Sequence, residues 1–315
     1  MGWELSGGLT MQFTIQKYKN KDEEQLKHLL HLCFEDETLL SVLNSTHLKF
    51  AYVAILGNKL VGSTFAWTSR MHPYCTYLRV LVHPLYRRLD IAEKLLSMVE
   101  KSRNSTLQTS TWETSNRLKR LYMSNNFKEI RRTYMPHLKL VDVQNDLPYK
   151  NEKQEIKSLT EILSNVTLLE KLIFLVKRNY EQTHAVNPVK ELTVEKWKAL
   201  ILCDDLLIDG SFVYLDKDGN SIKAYSFLHK SNTKNTLELG WCGAIDMETK
   251  DLIPRLIVYQ INYARKRNIQ VISGEFDTTD DYAMEVLNSF PFAPCPSWIT
   301  YQKVGEEEIN IRAKD

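Results

Sequence analysis

One pattern occurs twice in this chain, about half its length apart. Ser115, Leu118, Leu121, Tyr122, Asn126 and Phe127 recur 165 residues later as Asp280, Ala283, Val286, Leu287, Pro291 and Phe292. Both sets have the three- and four-residue steps of an amphipathic helix that ends in a turn and an aromatic residue. A hairpin signature recurs at almost the same distance: Gly57-Asn58-x-Leu60-x-Gly62 lies 162 residues before Gly219-Asn220-x-Ile222-x-Ala224. Repetition in the same order implies one fold used twice. A length of 315 residues suits two domains. The expected division is a leader or extension over 1–12, a first domain over 13–145, a polar linker over 146–155 and a second domain over 156–315.

Within each half, strand and helix signals alternate. Phe13–Tyr18 alternates like a strand, and Leu26, Leu29, Leu30 and Cys33 form a helical stripe. Ala51–Leu56 and Lys59–Trp67 flank the Gly57-Asn58 turn as a hairpin. Tyr77–Val82 is a further strand ended by Pro84, which has no N–H to donate. Helical stripes follow at Ile91–Val99 and around Leu118–Tyr122, with strands at Leu107–Trp112 and from Lys128 to Leu140. The second half opens with a helical segment from about Glu155 to Tyr180. Its strands are Gly210–Leu215, Ile222–Leu228, Leu237–Ile245 and Gln270–Phe276, with helices at Ile253–Ala264 and Asp280–Asn288. The fold class is therefore α/β (α+β), two tandem domains, each a mixed central sheet flanked by helices.

The junction Val80-Leu81-Val82-His83-Pro84-Leu85-Tyr86-Arg87-Arg88-Leu89-Asp90-Ile91-Ala92 carries the most specific signal. A helix N-terminus with free N–H groups and two arginines is suited to a pyrophosphate. The stretch resembles the cofactor motif of the GNAT-type N-acetyltransferases, in which a V-x-P-x-Y-R strand end leads into Q/R-x-x-G-x-G/A. Arg87 and Ala92 fall on its ends, while Asp90 stands at the internal glycine, where its carboxylate repels a pyrophosphate unless it turns outward. Ser115 through Phe127 is similar in spacing to the family's N-x-x-A-x-x-L-Y-x-x-x-G-F helix.

The resemblance implies acetyl-CoA as co-substrate, held by Val80, Leu81, Val82, Arg87, Arg88, Leu89, Asp90, Ile91, Ala92 and Ser115. It implies Tyr122 as general acid toward the departing thiolate. An ammonium acceptor must lose a proton before attack. The segment before Arg79 holds no glutamate, and His72 is the candidate base there. Backbone N–H groups of Val80 to Val82 would polarise the thioester carbonyl if this strand is splayed.

The formal charge of +2 hides a division. Residues 1–150 hold 21 Lys and Arg against 14 Asp and Glu, whereas residues 151–315 hold 20 against 25. The segment Met247–Pro254, where the phosphate motif would recur, has two acids and no arginine pair. The layout is similar to that of mycothiol synthase, with one cofactor-competent domain and one degenerate domain. The resemblance implies transfer of an acetyl group to a primary amine of a small molecule or peptide; a non-catalytic acyl-CoA-binding or interaction module is the alternative. Near-neutral charge argues against nucleic acid as partner. No apolar run is long enough for a membrane span, and cytoplasmic residence is expected, with self-association left open. Five cysteines without a C-x-x-C pair or neighbouring histidines predict neither a disulfide framework nor a metal site.

Overall fold

The computed structural model describes residues 12–35, 37–100, 105–144 and 155–305. The expected leader, except residue 12, and the expected linker, except residue 155, lie outside the described residues. The chain forms two compact units: residues 1–111, 115–129 and 301–315, and residues 112–114 and 130–300.

In the first unit the chain runs β1 (Thr14–Lys17), α1 (Glu23–Leu32), α2 (Leu39–Leu43), β2 (Leu48–Leu56), β3 (Lys59–Trp67), β4 (Cys75–Val82), α3 (Ile91–Glu100), β5 (Thr106–Trp112) and α4 (Asn116–Ser124). Strands β1 to β4 form an antiparallel meander, and β5 joins β4 in parallel after the α3 crossover. Leu26, Leu29 and Leu30 of α1 pack on Val53, Leu60, Phe65 and Leu81. Each such side chain removed from water contributes about 1.5–3 kcal/mol. Helix α3 lies close on β3 because Gly62 has no side chain: a Cβ there would fall 2.6 Å from Ile91 Cγ2 and 3.1 Å from the Leu81 carbonyl.

The chain continues through β6 (Lys128–Tyr134), β7 (His137–Lys139), β8 (Ile156–Ser158), α5 (Leu159–Leu163), α6 (Val166–Thr183), α7 (Val194–Ile201), β9 (Phe212–Leu215), β10 (Ile222–Lys230), β11 (Thr236–Ala244), α8 (Leu252–Arg265), β12 (Val271–Ser273), β13 (Phe276–Asp277), α9 (Asp281–Ser289) and β14 (Trp298–Lys303). The sheet of the second unit has the order β7-β12-β11-β10-β9-β8. Its β11 and β12 are parallel, as β4 and β5 are, and the helix between them is α8. Gly57 and Gly219 occupy the same left-handed turn position, φ +60° and +70°, in the two hairpins. The repeat in the sequence is thus a repeat in backbone conformation.

Three features depart from the sequence reading. The segment expected to enter the second half as helix begins with strand β8, and the helix that follows, α5, is capped by Ser158, whose side chain accepts from the Glu161 N–H. The strand expected from Lys128 to Leu140 is divided at Pro136, which cannot continue a ladder, and β7 pairs with β12. Strand β14 has no counterpart in the sequence reading. Its last residues, Tyr301–Lys303, belong to the first unit, and the sheet order sets β14 beside β5. There Lys303 pairs with Glu100 at 2.5 Å. Among the described residues no helix is long and apolar enough to cross a membrane.

Candidate active site

Strands β4 and β5 part company halfway along. The parallel register covers Cys75 to Tyr77 against Thr106 to Gln108 and then stops, while β4 stays paired with β3 as far as Val82. The His83 N–H donates to the Val61 carbonyl at 2.9 Å. Strand alternation therefore turns the N–H groups of Val80 and Val82 to the opposite edge, toward β5, where the ladder has ended. The splay that sequence could not reveal is present.

Tyr122, on α4, sits at this fork. Its hydroxyl is 3.4 Å from Thr109 Oγ1, one residue past the last paired position of β5. Its ring packs on Phe127 and on Tyr301, with centroids 5.6 and 5.7 Å away. Complete burial pushes the phenol up to about 12, against the smaller lowering effect of the Thr109 hydrogen bond.

Glu35 joins the same place from the end of α1. Its carboxylate lies 3.3 Å from Arg79 Nε, and the two side chains are only 9% and 13% exposed. Arg79 also stands over the Trp67 ring at 5.9 Å. Both charges act on Tyr122, Arg79 lowering and Glu35 raising its pKa. No motif pointed to Glu35, because its partner is 44 residues away. His72 lies before β4, at the end where β4 and β5 are still paired, and its N–H donates to Ser69 Oγ. It belongs to the opposite side of the fork from Val80 and Val82.

The turn into α3 is organised by His83, whose ring accepts from the Leu85 N–H at the head of the short turn Pro84–Tyr86. Burial, followed by nearby cationic groups, lowers the His83 pKa. Arg87, Arg88 and Asp90 are exposed, Leu89 is half-buried, and Ile91 and Ala92 are buried as the first residues of α3. Asp90 turns outward to Lys94 at 3.2 Å. A further arginine arrives from α4: Arg117 donates to the Leu89 carbonyl at 3.0 Å and pairs with Glu93 at 3.1 Å. Ser115, half-buried, is the cap residue of α4 but makes no side-chain cap bond. Cys33 donates its thiol to the Val82 carbonyl; burial raises its pKa, and Arg87 beside it acts in the opposite direction. Arg117, His83 and Cys33 thus join the residues of the turn before α3 that the sequence singles out.

The second unit has the same fork with different contents. β11 pairs with β12 only over Thr236 to Glu238 and with β10 as far as Ala244. Leu287 stands where the repeat places Tyr122, and the start of α8 carries Asp251 paired with Arg255. A small cleft of about 30 Å³ opens among Asn179, Tyr180, His184, Tyr225, Trp241 and Asp280. Asp280 caps α9 through the N–H groups of Tyr282 and Ala283. Burial pushes its carboxyl up to about 6 despite those bonds.

An antiparallel meander, one parallel strand after a helical crossover, and a fork at that parallel pair define an acetyltransferase-like unit, and this chain has the fold twice. It is the fold of the GCN5-related N-acetyltransferases. A GCN5-related N-acetyltransferase from Sphaerobacter thermophilus is similar over 93% of this chain and 95% of its own, with a TM-score of 0.60 and 12% identity. A glucosamine N-acetyltransferase region of a fungal multi-domain GH3 β-N-acetylglucosaminidase gives 0.63 at 12% identity, over 93% of this chain and 38% of that one. A tandem GNAT protein from the clavulanic acid biosynthesis pathway gives 0.52 at 12% identity, over 93% and 98%. No family model and no curated protein matches the sequence.

Proposed function

We propose that the chain is an acetyl-CoA-dependent N-acetyltransferase acting on a primary amine of a small molecule or peptide, with its chemistry in the first unit. The observation that carries this reading is the β4/β5 fork: the Val80 and Val82 N–H groups face it and the Tyr122 hydroxyl stands at its base. Acetyl-CoA supplies the activated acetyl thioester. Arg87, Arg88 and Arg117, with the N-terminal N–H groups of α3, are suited to its phosphates, and Asp90, held by Lys94, leaves them room. The fork N–H groups hold the thioester oxygen as charge develops on it.

Tyr122 acts by hydrogen bonding more than by full proton transfer. With its pKa at about 12, passing a proton to an ordinary thiolate is uphill by about 5 kcal/mol. It therefore steadies the leaving sulfur while keeping its own proton. Glu35, paired with Arg79 at 3.3 Å and nearly sealed from water, is the carboxylate nearest in role to a base.

The test is thiol release from acetyl-CoA across a broad panel of primary amines. Amine-dependent release that falls strongly in Tyr122→Phe is expected. Cofactor binding with no amine-dependent release anywhere in the panel would favour a non-catalytic acyl-CoA-binding module, a reading for which the complete burial of Tyr122 speaks.

A further inference from the structure

Away from either fork, three side chains with metal-ligand chemistry converge in the second unit. Cys203 and Asp205 follow α7, and His229 lies near the end of β10. Strand β9 pairs with β10 only as far as Ser226, and the segment around Leu206 takes the edge beyond it. A bridge joins Leu206 to His229. The Leu207 N–H donates to the Leu228 carbonyl, and the Lys230 N–H to the Asp205 carbonyl, each at 2.8 Å. This pairing delivers the three side chains to one point. Cys203 Sγ is 3.8 Å from His229 Nδ1, Asp205 Oδ2 is 3.4 Å from the same nitrogen, and all three donor atoms lie within 4.8 Å of one another.

The imidazole fits in this orientation because Gly240 of the neighbouring strand leaves room for it, where any Cβ would run into His229 Nε2 and Cδ2. Cys203 is half-buried and Asp205 exposed, so the cluster has a dry side and an open side. A tetrahedral zinc ion, with bonds of about 2.3 Å to sulfur and about 2.0 Å to nitrogen and oxygen, sets those ligand atoms about 3.6 Å (S to N) and about 3.3 Å (N to O) apart. The two separations from His229 Nδ1, 3.8 Å to Cys203 Sγ and 3.4 Å to Asp205 Oδ2, lie close to this geometry.

We infer that Cys203, Asp205 and His229 form a binding site for a borderline-soft divalent transition ion of the zinc class. The ligands are the Cys203 thiolate, the Asp205 carboxylate and His229 Nδ1, and water completes the tetrahedron on the exposed side. Thiolate with imidazole selects zinc-like ions over calcium and magnesium. A thiol binds such an ion only as thiolate, so on binding Cys203 gives its proton to solvent, and metal uptake releases a proton and weakens in acid. The ion would tie the segment after α7 to β10.

Titration of the full chain with zinc and with cobalt tests this, read by metal content after dialysis and by the sulfur-to-cobalt charge-transfer absorption. One equivalent bound, with that absorption present, is expected. Cys203→Ser should abolish the absorption, and His229→Ala and Asp205→Asn should each weaken affinity at least tenfold. Asp205 is exposed, so its variant keeps the fold and the comparison interpretable. Absence of binding to the native chain overturns the inference. So does absorption that persists in Cys203→Ser, which would place the ion on another cysteine, or affinity unchanged in His229→Ala.

Discussion

The Arg79 guanidinium and the Glu35 carboxylate meet 3.3 Å apart, nearly sealed from water, where β4 leaves β5. Removing either partner takes the counter-charge from the other. Glu35→Gln should destabilise the chain by about 3 kcal/mol in urea unfolding, because the buried guanidinium loses its carboxylate counter-charge. If Glu35 also receives the acceptor's proton, turnover should fall beyond what the unfolded fraction explains, with a shifted pH profile.

Tyr122→Phe removes one hydroxyl whose bond to Thr109 is long at 3.4 Å, so the unfolding midpoint should change little. Turnover should fall about 100-fold, the lower range for loss of a positioned acid or donor. Burial raises the phenol to about 12, so the proposed turnover of the native protein should show no tyrosine-linked loss as pH rises to about 10. A descending limb of the pH profile that is present in the native protein and absent in the variant would contradict this.

Gly62→Ala places a methyl 2.6 Å from Ile91 Cγ2 and 3.1 Å from the Leu81 carbonyl. The backbone oxygen cannot yield, so α3 must shift. A loss of about 1–3 kcal/mol is expected from overpacking, with weaker coenzyme A binding by calorimetry because the helix start moves with it.

Arg117→Ala should weaken coenzyme A binding and flatten its salt dependence, since one cation is lost from the turn and the Leu89 carbonyl loses its donor. Asp90→Asn, which removes an exposed acid beside the same turn, should strengthen binding modestly. Equal affinities for the native chain and both variants would remove the phosphates from this turn.

Asp280 gives a pH-dependent prediction. Its folded pKa, about 6, lies above the value of about 3.9 in an unfolded chain. The stability it contributes is therefore present below about pH 4 and is lost as pH rises through about 6. Asp280→Asn keeps a good helix cap and removes the buried charge. It should stabilise the chain at pH 8 by about 2 kcal/mol and change little at pH 4, measured by thermal unfolding at both values.

What the sequence determined by itself is local and periodic. The helical stripes at Leu26–Cys33, Ile91–Val99 and Ile253–Ala264, the two Gly-Asn hairpins and the repeat of one unit follow from residue spacing and turn chemistry, which act within a few residues. The strand end, turn and helix start that carry Arg87 and Arg88 were legible for the same reason: they are contiguous in the chain. The tertiary structure alone decided the rest. Where β4 separates from β5 depends on pairing between distant segments, as do the Glu35–Arg79 ion pair, the arrival of Arg117 at the Leu89 carbonyl and the return of Tyr301–Lys303 to the first unit. Cys203, Asp205 and His229 carry no metal-binding spacing, because two segments supply them and only the pairing around Leu206 brings them together. Short-range periodicity is written residue by residue; convergence of distant side chains is set by which strands find each other.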